Sequence, residues 1–393
     1  MTSQVERLAV PDGLPAGTIR LAALRWRQAE AAAQDAGLRC TALTDADLDQ
    51  RLAEELTAPL RLEDWPDPTE PRAAGDGWVH DEVVDEDREG FEAFTAANPD
   101  AGPEQLASRC QELRWPVLPY RQLPNPLQNA GIWPEAVERP DTGAEEDVVD
   151  PPSPNRPPLV LDLTTHWAGP LATSLLADAG AEIIKVDPSS RPDGFRARPA
   201  LFRHLNHAKQ SIDLDLRSPE DRERFEQLAR SADLVVESFS RRVLPNLGYD
   251  RHTLAALNPA LAVLSIKAFP AGTPEADWLA YGPGVHAASG LGWPENDRSD
   301  QTPRPAPVAY PDLVAGVTAF AAAARLLAGR RPSGTDRPAG RPAVEVSLAG
   351  SIAPLVRHAL GCRSVLSSEA PSPSAPLDSE RSAVHPAERA HHG

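Results

Sequence analysis

The chain has 393 residues, 41% of them hydrophobic and 24% charged, so it is long enough for two or three domains with a sizeable core. No uninterrupted run of eighteen apolar residues occurs, and Cys40, Cys110 and Cys362 are too few and too scattered for a disulfide framework or a zinc site. We therefore expect a cytoplasmic protein that holds no metal and spans no membrane.

The charge is unevenly distributed along the chain. Residues 1–156 contain 31 acidic and 14 basic residues, whereas residues 157–393 contain 26 and 25. The acidic part would repel nucleic acid and anionic membranes, so neither is expected as a partner. Seven basic residues cluster further along: Lys185, Arg191, Arg196, Arg198, Arg203, Lys209 and Arg217. This cluster favours a phosphate-bearing ligand over a merely solvated face.

Residues 1–156 form an acidic region with mixed, mainly helical patterns. Helices are predicted over Ile19–Ala36, Thr44–Leu56 and Glu104–Leu113, and a solvated helix face over Asp81–Glu92. Residues Trp115–Tyr120 are predicted to form a strand, and their prolines confine it to a sheet edge. The acidic, proline-rich stretch 140–158 is predicted to be a linker, and the polar residues 359–393 a disordered tail.

The run Leu159–Pro188 combines two short apolar strands with a helix between them. Gly169 permits a tight turn, Pro170 suits the first helical turn, and Gly180 stands where helices commonly stop. Such a unit places a helix N-terminus beside the carboxyl end of a strand, and phosphates and carboxylates bind readily there.

Alternating strand and helix patterns continue over residues 157–358. The predicted strands are Leu159–Leu163, Glu182–Val186, Leu234–Glu237, Leu261–Ile266 and Ala343–Ser347. The predicted helices are Pro170–Ala179, Pro219–Ser231 (with Ser218 as its cap), Arg251–Ala256 and Leu313–Leu327. We therefore predict an α/β domain with a parallel, Rossmann-like, doubly wound sheet. No G-x-G-x-x-G, P-loop, H-E-x-x-H or G-x-S-x-G motif supports nicotinamide, nucleotide-triphosphate, zinc-protease or serine-hydrolase chemistry.

Six blocks between about Pro157 and Val356 resemble, in order, the N-terminal half of the class III CoA-transferases (CaiB/BaiF type). They include LDLTTHWAGPLATSLLADAGAEIIKVDP, LGYDRHTLAALNPALAVLSIKAF, AYGPGVHAASGLGW and PDLVAGVTAFAAAARLLAGR. Formyl-CoA and carnitine-CoA transferases belong to this family, and alpha-methylacyl-CoA racemase shares its fold. The resemblance implies coenzyme A as substrate, acyl-CoA and carboxylic acids as partners, and no metal.

The resemblance also implies that Asp312 is the nucleophile, which forms an anhydride and then an aspartyl-CoA thioester. The alternative is that Asp312 only caps its helix. Tyr281 falls where the transferases carry a tyrosine near the thioester and the racemases a histidine, so transferase chemistry is favoured over isomerase chemistry. His286 is expected to be a buried, structurally satisfied histidine.

By position in the family, eleven residues are implied to contact CoA. They are Trp167, Ala168, Leu214, Asp215, Leu216, Arg217, Ser238, Phe239, Leu279, Ala280 and Tyr281. Arg217 could bind a phosphate through a charge-assisted hydrogen bond. For the apolar members, and for Tyr281, ordinary core packing is the competing interpretation.

Several positions depart from the family pattern. Trp167 replaces a pocket glutamine, which argues against a small, oxalate-like acyl group, and Ser238 replaces the asparagine of E-N-F. Pro188 replaces a basic residue and Gly282 an acidic one. The C-terminal half of the family has no counterpart after residue 358.

Three explanations for the missing half stay open. The region Gly77–Tyr120 resembles the end of the C-terminal half, as in a permuted enzyme, so residues 1–156 could stand in for it. A partner subunit of a split enzyme, or the second chain of a homodimer, could supply it instead. The chain could also be a catalytically weak relative or a non-catalytic CoA-fold subunit.

Overall fold

The computed structural model describes residues 14–40, 43–62, 68–123, 125, 127, 135–137, 156–293, 302–329 and 343–360. Within these ranges the strands are β1 (Arg72–Ala74), β2 (Gly77–Asp81), β3 (Val117–Pro119), β4 (Glu135–Val137), β5 (Leu159–Leu163), β6 (Glu182–Val186), β7 (Gln210–Ile212), β8 (Leu234–Glu237), β9 (Ala262–Lys267) and β10 (Ala343–Ser347). The α-helices are α1 (Thr18–Asp35), α2 (Asp45–Leu62), α3 (Asp85–Ala96), α4 (Pro103–Glu112), α5 (Ala168–Asp178), α6 (Pro199–Asn206), α7 (Pro219–Ser231), α8 (Val243–Asn246), α9 (Arg251–Leu257), α10 (Gly282–Ser289), α11 (Tyr310–Ala328) and α12 (Leu348–Ala359).

A seven-stranded sheet has the order β4-β10-β9-β8-β5-β6-β7. Six strands are parallel, and β4 lies antiparallel beside β10 at one edge. Successive strand residues face different cores: Val160 and Val236 belong to one cluster, whereas Leu161 and Val235 belong to the other. Because both faces are covered, the central strands β5, β8 and β9 are mainly apolar and buried. The predicted doubly wound α/β sheet is confirmed.

The first two helices join the helix layer on one face of this sheet. Trp26 of α1 packs edge-on against Phe320 of α11, with ring centroids 6.0 Å apart, and Leu52 of α2 belongs to the same core. By length and composition α11 could cross a membrane, but 83% of its apolar stretch is buried inside the protein. It is therefore a core helix, packed between α1, α5 and the sheet strands.

A second, smaller unit consists of the antiparallel sheet β1-β2-β3 with α3 and α4. On one face of this sheet, Val79 and Val117 pack with Phe91 into a separate hydrophobic cluster. The alternation of side chains turns the opposite face, which carries His80 and Leu118, towards α10. A Cβ atom at Gly284 of α10 would lie 2.8 Å from the Leu118 side chain, so glycine allows this close approach.

Most sequence predictions of helices and strands are confirmed. Four of the five predicted parallel strands have the predicted bounds, and the fifth, Ala262–Lys267, is shifted by one residue. The Trp115–Tyr120 strand does lie at a sheet edge, as β3. Ser218 precedes α7, but its side chain makes no capping hydrogen bond, so that detail was wrong. The solvated helix begins only at Asp85, because residues 81–82 complete the strand ladder of β2. Most of the predicted linker and nearly all of the tail lie outside the described residues.

Candidate active site

Asp312 is the third residue of α11, and its surroundings are unusual for a carboxylate. The residue before the helix is Ala309, whose carbonyl accepts the Asp312 N–H at 3.0 Å, so Asp312 is not the helix cap. Its side chain is buried, and within the described part of the chain its Oδ2 atom has no hydrogen-bond partner. Burial, with a smaller contribution from the nearby Glu82 charge, raises the pKa of Asp312 to about 7.

The first turn of α10 faces this carboxylate at very short range. A Cβ atom at Gly282 would lie only 2.0 Å from Asp312 Oδ2, so no other residue type fits there without movement. The N–H groups of Gly282 and of Asp312 itself favour the ionised carboxylate and partly oppose the effect of burial. The carboxylate is thus held between the N-terminal turns of two helices, α10 and α11, which favour negative charge.

Tyr281 and His166 form a pair of rings beside Gly282. Tyr281 immediately precedes α10 and is 41% exposed, and its ring centroid lies 4.9 Å from that of His166. His166 has a positive φ of 66° in the turn between β5 and α5, where its N–H donates to Asp193 Oδ1. Burial raises the pKa of Tyr281 and lowers that of His166. At neutral pH both rings are therefore uncharged.

The small unit supplies a second carboxylate to this place. Glu82, directly after β2, accepts the Tyr281 N–H through its Oε2 atom at 3.3 Å. The same Oε2 atom would lie 3.1 Å from a Cβ atom on Gly284. The family resemblance expects an acidic residue at position 282, where this chain has glycine; a carboxylate nevertheless reaches the turn, from Glu82.

The segment that leads to Tyr281 is also anchored by the small unit. Gln111 of α4 makes two hydrogen bonds to the backbone of Leu279: Oε1 accepts its N–H at 2.7 Å, and Nε2 donates to its carbonyl at 2.8 Å. Arg121 bonds Glu275 at 2.7 Å, and Arg114 donates to the carbonyl of Asp277 at 3.2 Å. Residues 275–281, including Ala280, are thereby held against the small unit.

Other residues implied to contact CoA lie at the carboxyl ends of the parallel strands. Trp167 and Ala168 begin α5, and both are buried; a Cβ at Gly316 of α11 would lie 2.9 Å from the Ala168 carbonyl oxygen. Ser238 Oγ accepts the N–H of Thr165 at 3.1 Å, which joins the loops after β8 and β5. Phe239 follows, with its N–H bonded to Glu237.

The stretch after β7 divides into two kinds of residue. Leu214 and Leu216 are buried in the core on the second face of the sheet, as the packing interpretation expects. Asp215 and Arg217 are more exposed and pair with each other at 2.6 Å, and both also bond Ser190 in the loop after β6. These residues lie with the other strand ends, and their role towards CoA stays a prediction.

Four members of the basic cluster expected to bind phosphate have carboxylate partners within the protein. Lys185 and Lys209 are fully buried and pair with Asp193 and Asp162 at 3.2 and 3.0 Å. Arg196 pairs with Asp187, and Arg217 with Asp215. Each of these four side chains thus already has a carboxylate partner within the protein. Binding of a phosphate-bearing ligand by the cluster stays a prediction.

His286 is a structural residue, as expected. Its Nδ1 atom lies 2.8 Å from the Tyr310 hydroxyl, and its Nε2 atom 3.1 Å from the Arg304 carbonyl. Burial lowers its pKa to about 4, so the ring is neutral and both nitrogens are engaged. It is not available as a base at Asp312.

Comparison with known proteins identifies the family of this chain. The sequence profile of CoA-transferase family III matches residues 158–387, more than half of the chain. The chain therefore belongs to CoA-transferase family III.

Individual relatives match over a shorter stretch. Acetyl-CoA:oxalate CoA-transferase of Acetobacter aceti is 32% identical over 215 residues, which cover 52% of this chain and 53% of the relative. Succinate–glutarate CoA-transferase of Agrobacterium fabrum is 35% identical over 188 residues, which cover 43% and 47%. A CaiB/BaiF family protein from Brucella suis has a solved structure that aligns with 26% identity and a TM-score of 0.45, over 55% of this chain and 58% of that one. The chain spans about half the length of the curated relatives it matches.

Sequence reasoning missed four residues of the site: Glu82, Gln111, His166 and Gly282. Glu82 was assigned to a solvated helix face, although the alternating pattern of Val79 to Val83 and the resemblance of Gly77–Tyr120 to the family were signals for a strand. Gly282 was noted only as a departure from the family. The reason for glycine there is the carboxylate of Asp312, which is distant in sequence.

Proposed function

We propose that this chain transfers CoA between carboxylic acids, with Asp312 as the nucleophile. One observation carries the proposal: Asp312 is a buried carboxylate whose Oδ2 atom lacks a partner among the described residues and faces the turn at Gly282. A buried carboxylate without a full set of hydrogen bonds is costly to stability, and such groups are concentrated at functional sites. Membership of CoA-transferase family III supports this reaction class.

The reaction proceeds by acyl exchange through covalent intermediates. A carboxylate oxygen of Asp312 attacks the thioester carbon, the C–S bond breaks, and CoA leaves as the thiolate. The thiolate then attacks the aspartyl carbonyl of the anhydride, which releases the first acid and leaves an aspartyl-CoA thioester. The acceptor carboxylate enters by the same steps in reverse. No water and no net proton are consumed.

The surrounding residues have separate tasks in this proposal. The helix turns at Gly282 and Asp312 favour the ionised nucleophile, and the apolar surroundings keep water away from the anhydride. Tyr281 lines the thioester pocket. The strand-end residues around Trp167, Ser238 and Arg217 bind CoA. The active form is a cytoplasmic homodimer, or an assembly with a partner subunit.

The test is CoA exchange between an acyl-CoA and a free carboxylic acid, followed with isotopically labelled acid. Aspartate at 312 should be required: Asp312→Asn is expected to lower the rate at least about 1,000-fold. A rate that survives this substitution would rule out the mechanism. Turnover only after a second protein is added would identify the chain as one subunit of a split enzyme.

A second candidate, isomerisation of an acyl-CoA, rests on His166. Burial lowers the pKa of this imidazole, so it is a neutral base, and it lies beside Tyr281 at the same pocket. An isomerase would exchange the hydrogen next to the thioester carbonyl with solvent deuterium, and His166→Ala would abolish that exchange. A transferase would move CoA without incorporating deuterium.

A further inference from the structure

The small three-stranded unit contacts the candidate active site at several points along one loop. Gln111 holds the backbone of Leu279, and Glu82 accepts the N–H of Tyr281 two residues further on. Leu118 lies against Gly284 one turn later. The unit therefore supports the whole approach to α10 from one side, while α11 presents Asp312 to the start of the same helix.

Glu82 occupies a distinct position on the face of β2 and β3 that packs against α10. It follows His80 by two residues, so both side chains lie on this face. His80 Nε2 is 3.6 Å from Glu82 Oε1, and His80 is almost fully buried. The Glu82 side chain is 16% exposed. Its carboxylate therefore accepts the Tyr281 N–H on one side and lies near His80 on the other, without a hydrogen bond to that ring.

Resting on the proposed function, we propose that Glu82 is a positioning residue of the reaction, which fixes the Tyr281 backbone at Asp312 and places a second carboxylate beside the nucleophile. Two carboxylates thus converge on the first turn of α10: Asp312 at Gly282, and Glu82 at Tyr281 and Gly284. They come from segments 230 residues apart in the chain.

The chemical advantage follows from the charges at each step. With free enzyme, Asp312 and Glu82 repel each other when both are ionised. In the anhydride and in the aspartyl-CoA thioester, Asp312 is an uncharged acyl group, because its negative charge has passed to the CoA thiolate or to the released acid. The repulsion between Asp312 and Glu82 therefore disappears. Glu82 therefore raises the free energy of the reactant carboxylate relative to the covalent intermediates. It does this without contacting the reacting atoms.

Other ionisable groups surround the pair and enter the same balance. Tyr281 lies next to both carboxylates, and His80, Tyr120 and His166 lie around Glu82. Burial raises the pKa of Tyr120 and of Tyr281, so neither phenol titrates near neutral pH.

The experiment measures ionisation of Asp312 directly, without substrate, and then in turnover. Aspartate labelled with ¹³C at the side-chain carboxyl is followed by NMR against pH, and the Asp312 signal is identified by its loss in D312N. E82Q should lower the midpoint of this titration by about one pH unit. E82D keeps the charge and should keep the midpoint nearer that of the native chain. E89Q, which removes an exposed charge on α3, should leave it unchanged.

The acid limb of kcat/KM against pH should move with the NMR midpoint, and kcat of E82Q at pH 8 should fall about tenfold with KM for the acyl-CoA within about twofold. An E82Q midpoint equal to that of E89Q would overturn the proposal. If E82Q does not fold, E82A takes its place: its midpoint should lie below the native value, and an identical midpoint would overturn the proposal. Failure of D312N to lower CoA transfer would instead refute the proposed function, since the titration does not depend on turnover.

Discussion

The seven-stranded sheet and the small three-stranded unit hold their functional residues in different ways. Asp312 and Gly282 lie at helix starts in the sheet domain, where the backbone fixes them through regular structure. Glu82 and Gln111 belong to the small unit and act on the site through hydrogen bonds to the backbone of residues 279–281. One region supplies the proposed reacting group, and the other supports the loop beside it. Substitutions in the two regions should therefore differ in their effects on turnover and on stability.

The largest effect is expected from Asp312→Asn, which should abolish CoA transfer yet stabilise the fold at alkaline pH. The pKa of this carboxyl is about 7 in the folded protein against 3.8 as its reference value, so the folded chain retains the proton longer. Its contribution to stability therefore falls as pH rises from about 4 to 7 and does not return above 7. At pH 9 the variant should gain roughly 1–4 kcal/mol in free energy of unfolding.

Urea unfolding of the native chain and of the variant at pH 5 and pH 9 measures this difference. Asp85→Asn is the matched control, because Asp85 is an exposed acidic residue in the first turn of α3, in the small unit. Its stability difference should be small at both pH values. Equal effects of the two substitutions at pH 9 would contradict the account of Asp312.

Gly282→Ala should be the next most harmful change. Its Cβ atom would meet Asp312 Oδ2 at 2.0 Å, so the carboxylate or the turn has to move. We expect kcat to fall about 100-fold, since misplacement of a reacting group by about 1 Å has effects of that size. Gly102→Ala is the control in the small unit: its nearest neighbour would be Asp76 Oδ1 at 3.6 Å, an ordinary contact. A Gly282→Ala protein with native kcat would argue against Asp312 as nucleophile.

Gln111→Ala tests the supporting role of the small unit. The substitution removes both hydrogen bonds to Leu279 and leaves two backbone groups without that partner. We expect a loss of about 1–3 kcal/mol in the free energy of unfolding and a several-fold loss in kcat. Gln34→Ala, at an exposed position on α1, should change neither. Unchanged stability and kcat in the Gln111 variant would mean that the small unit does not hold this loop.

The smallest effect is expected from Arg217→Ala. Arg217 is exposed and pairs with Asp215 on the surface, and such pairs contribute little to stability. If Arg217 binds CoA phosphate, KM for acyl-CoA should rise several-fold while kcat and thermal stability stay native. Arg224→Ala, an exposed arginine of α7, is the control. Equal KM values in the two variants would remove Arg217 from the CoA site.

Much of the sheet domain could be predicted from its sequence, because each buried parallel strand is a short apolar run and each helix has its own end signals. Leu234–Glu237 and Pro219–Ser231 have the predicted bounds. The helix α10 escaped prediction, since Gly282, Pro283 and Gly284 are typical of a loop. Its glycines are explained by Asp312 and Leu118, which lie far away in the sequence.

The site itself could be predicted only in part. Asp312 and Tyr281 were predicted through the family resemblance, because each lies in a block of sequence that is continuous in the chain. Glu82 and Gln111 reach the same loop from a region with a different composition, and no local pattern records such a contact. For the same reason the internal partners of Lys185 and Lys209 could not be foreseen.

The most direct test of Asp312 as the nucleophile is to trap its acyl intermediate. The protein is mixed with an acyl-CoA and quenched in hydroxylamine, which converts an activated aspartyl group to a hydroxamate, and the peptide that contains residue 312 is analysed by mass spectrometry. We predict a hydroxamate at Asp312 that depends on acyl-CoA and is lost in Asp312→Asn. Turnover of the same acyl-CoA with Asp312 unmodified, or modification at Glu82 instead, would contradict the account.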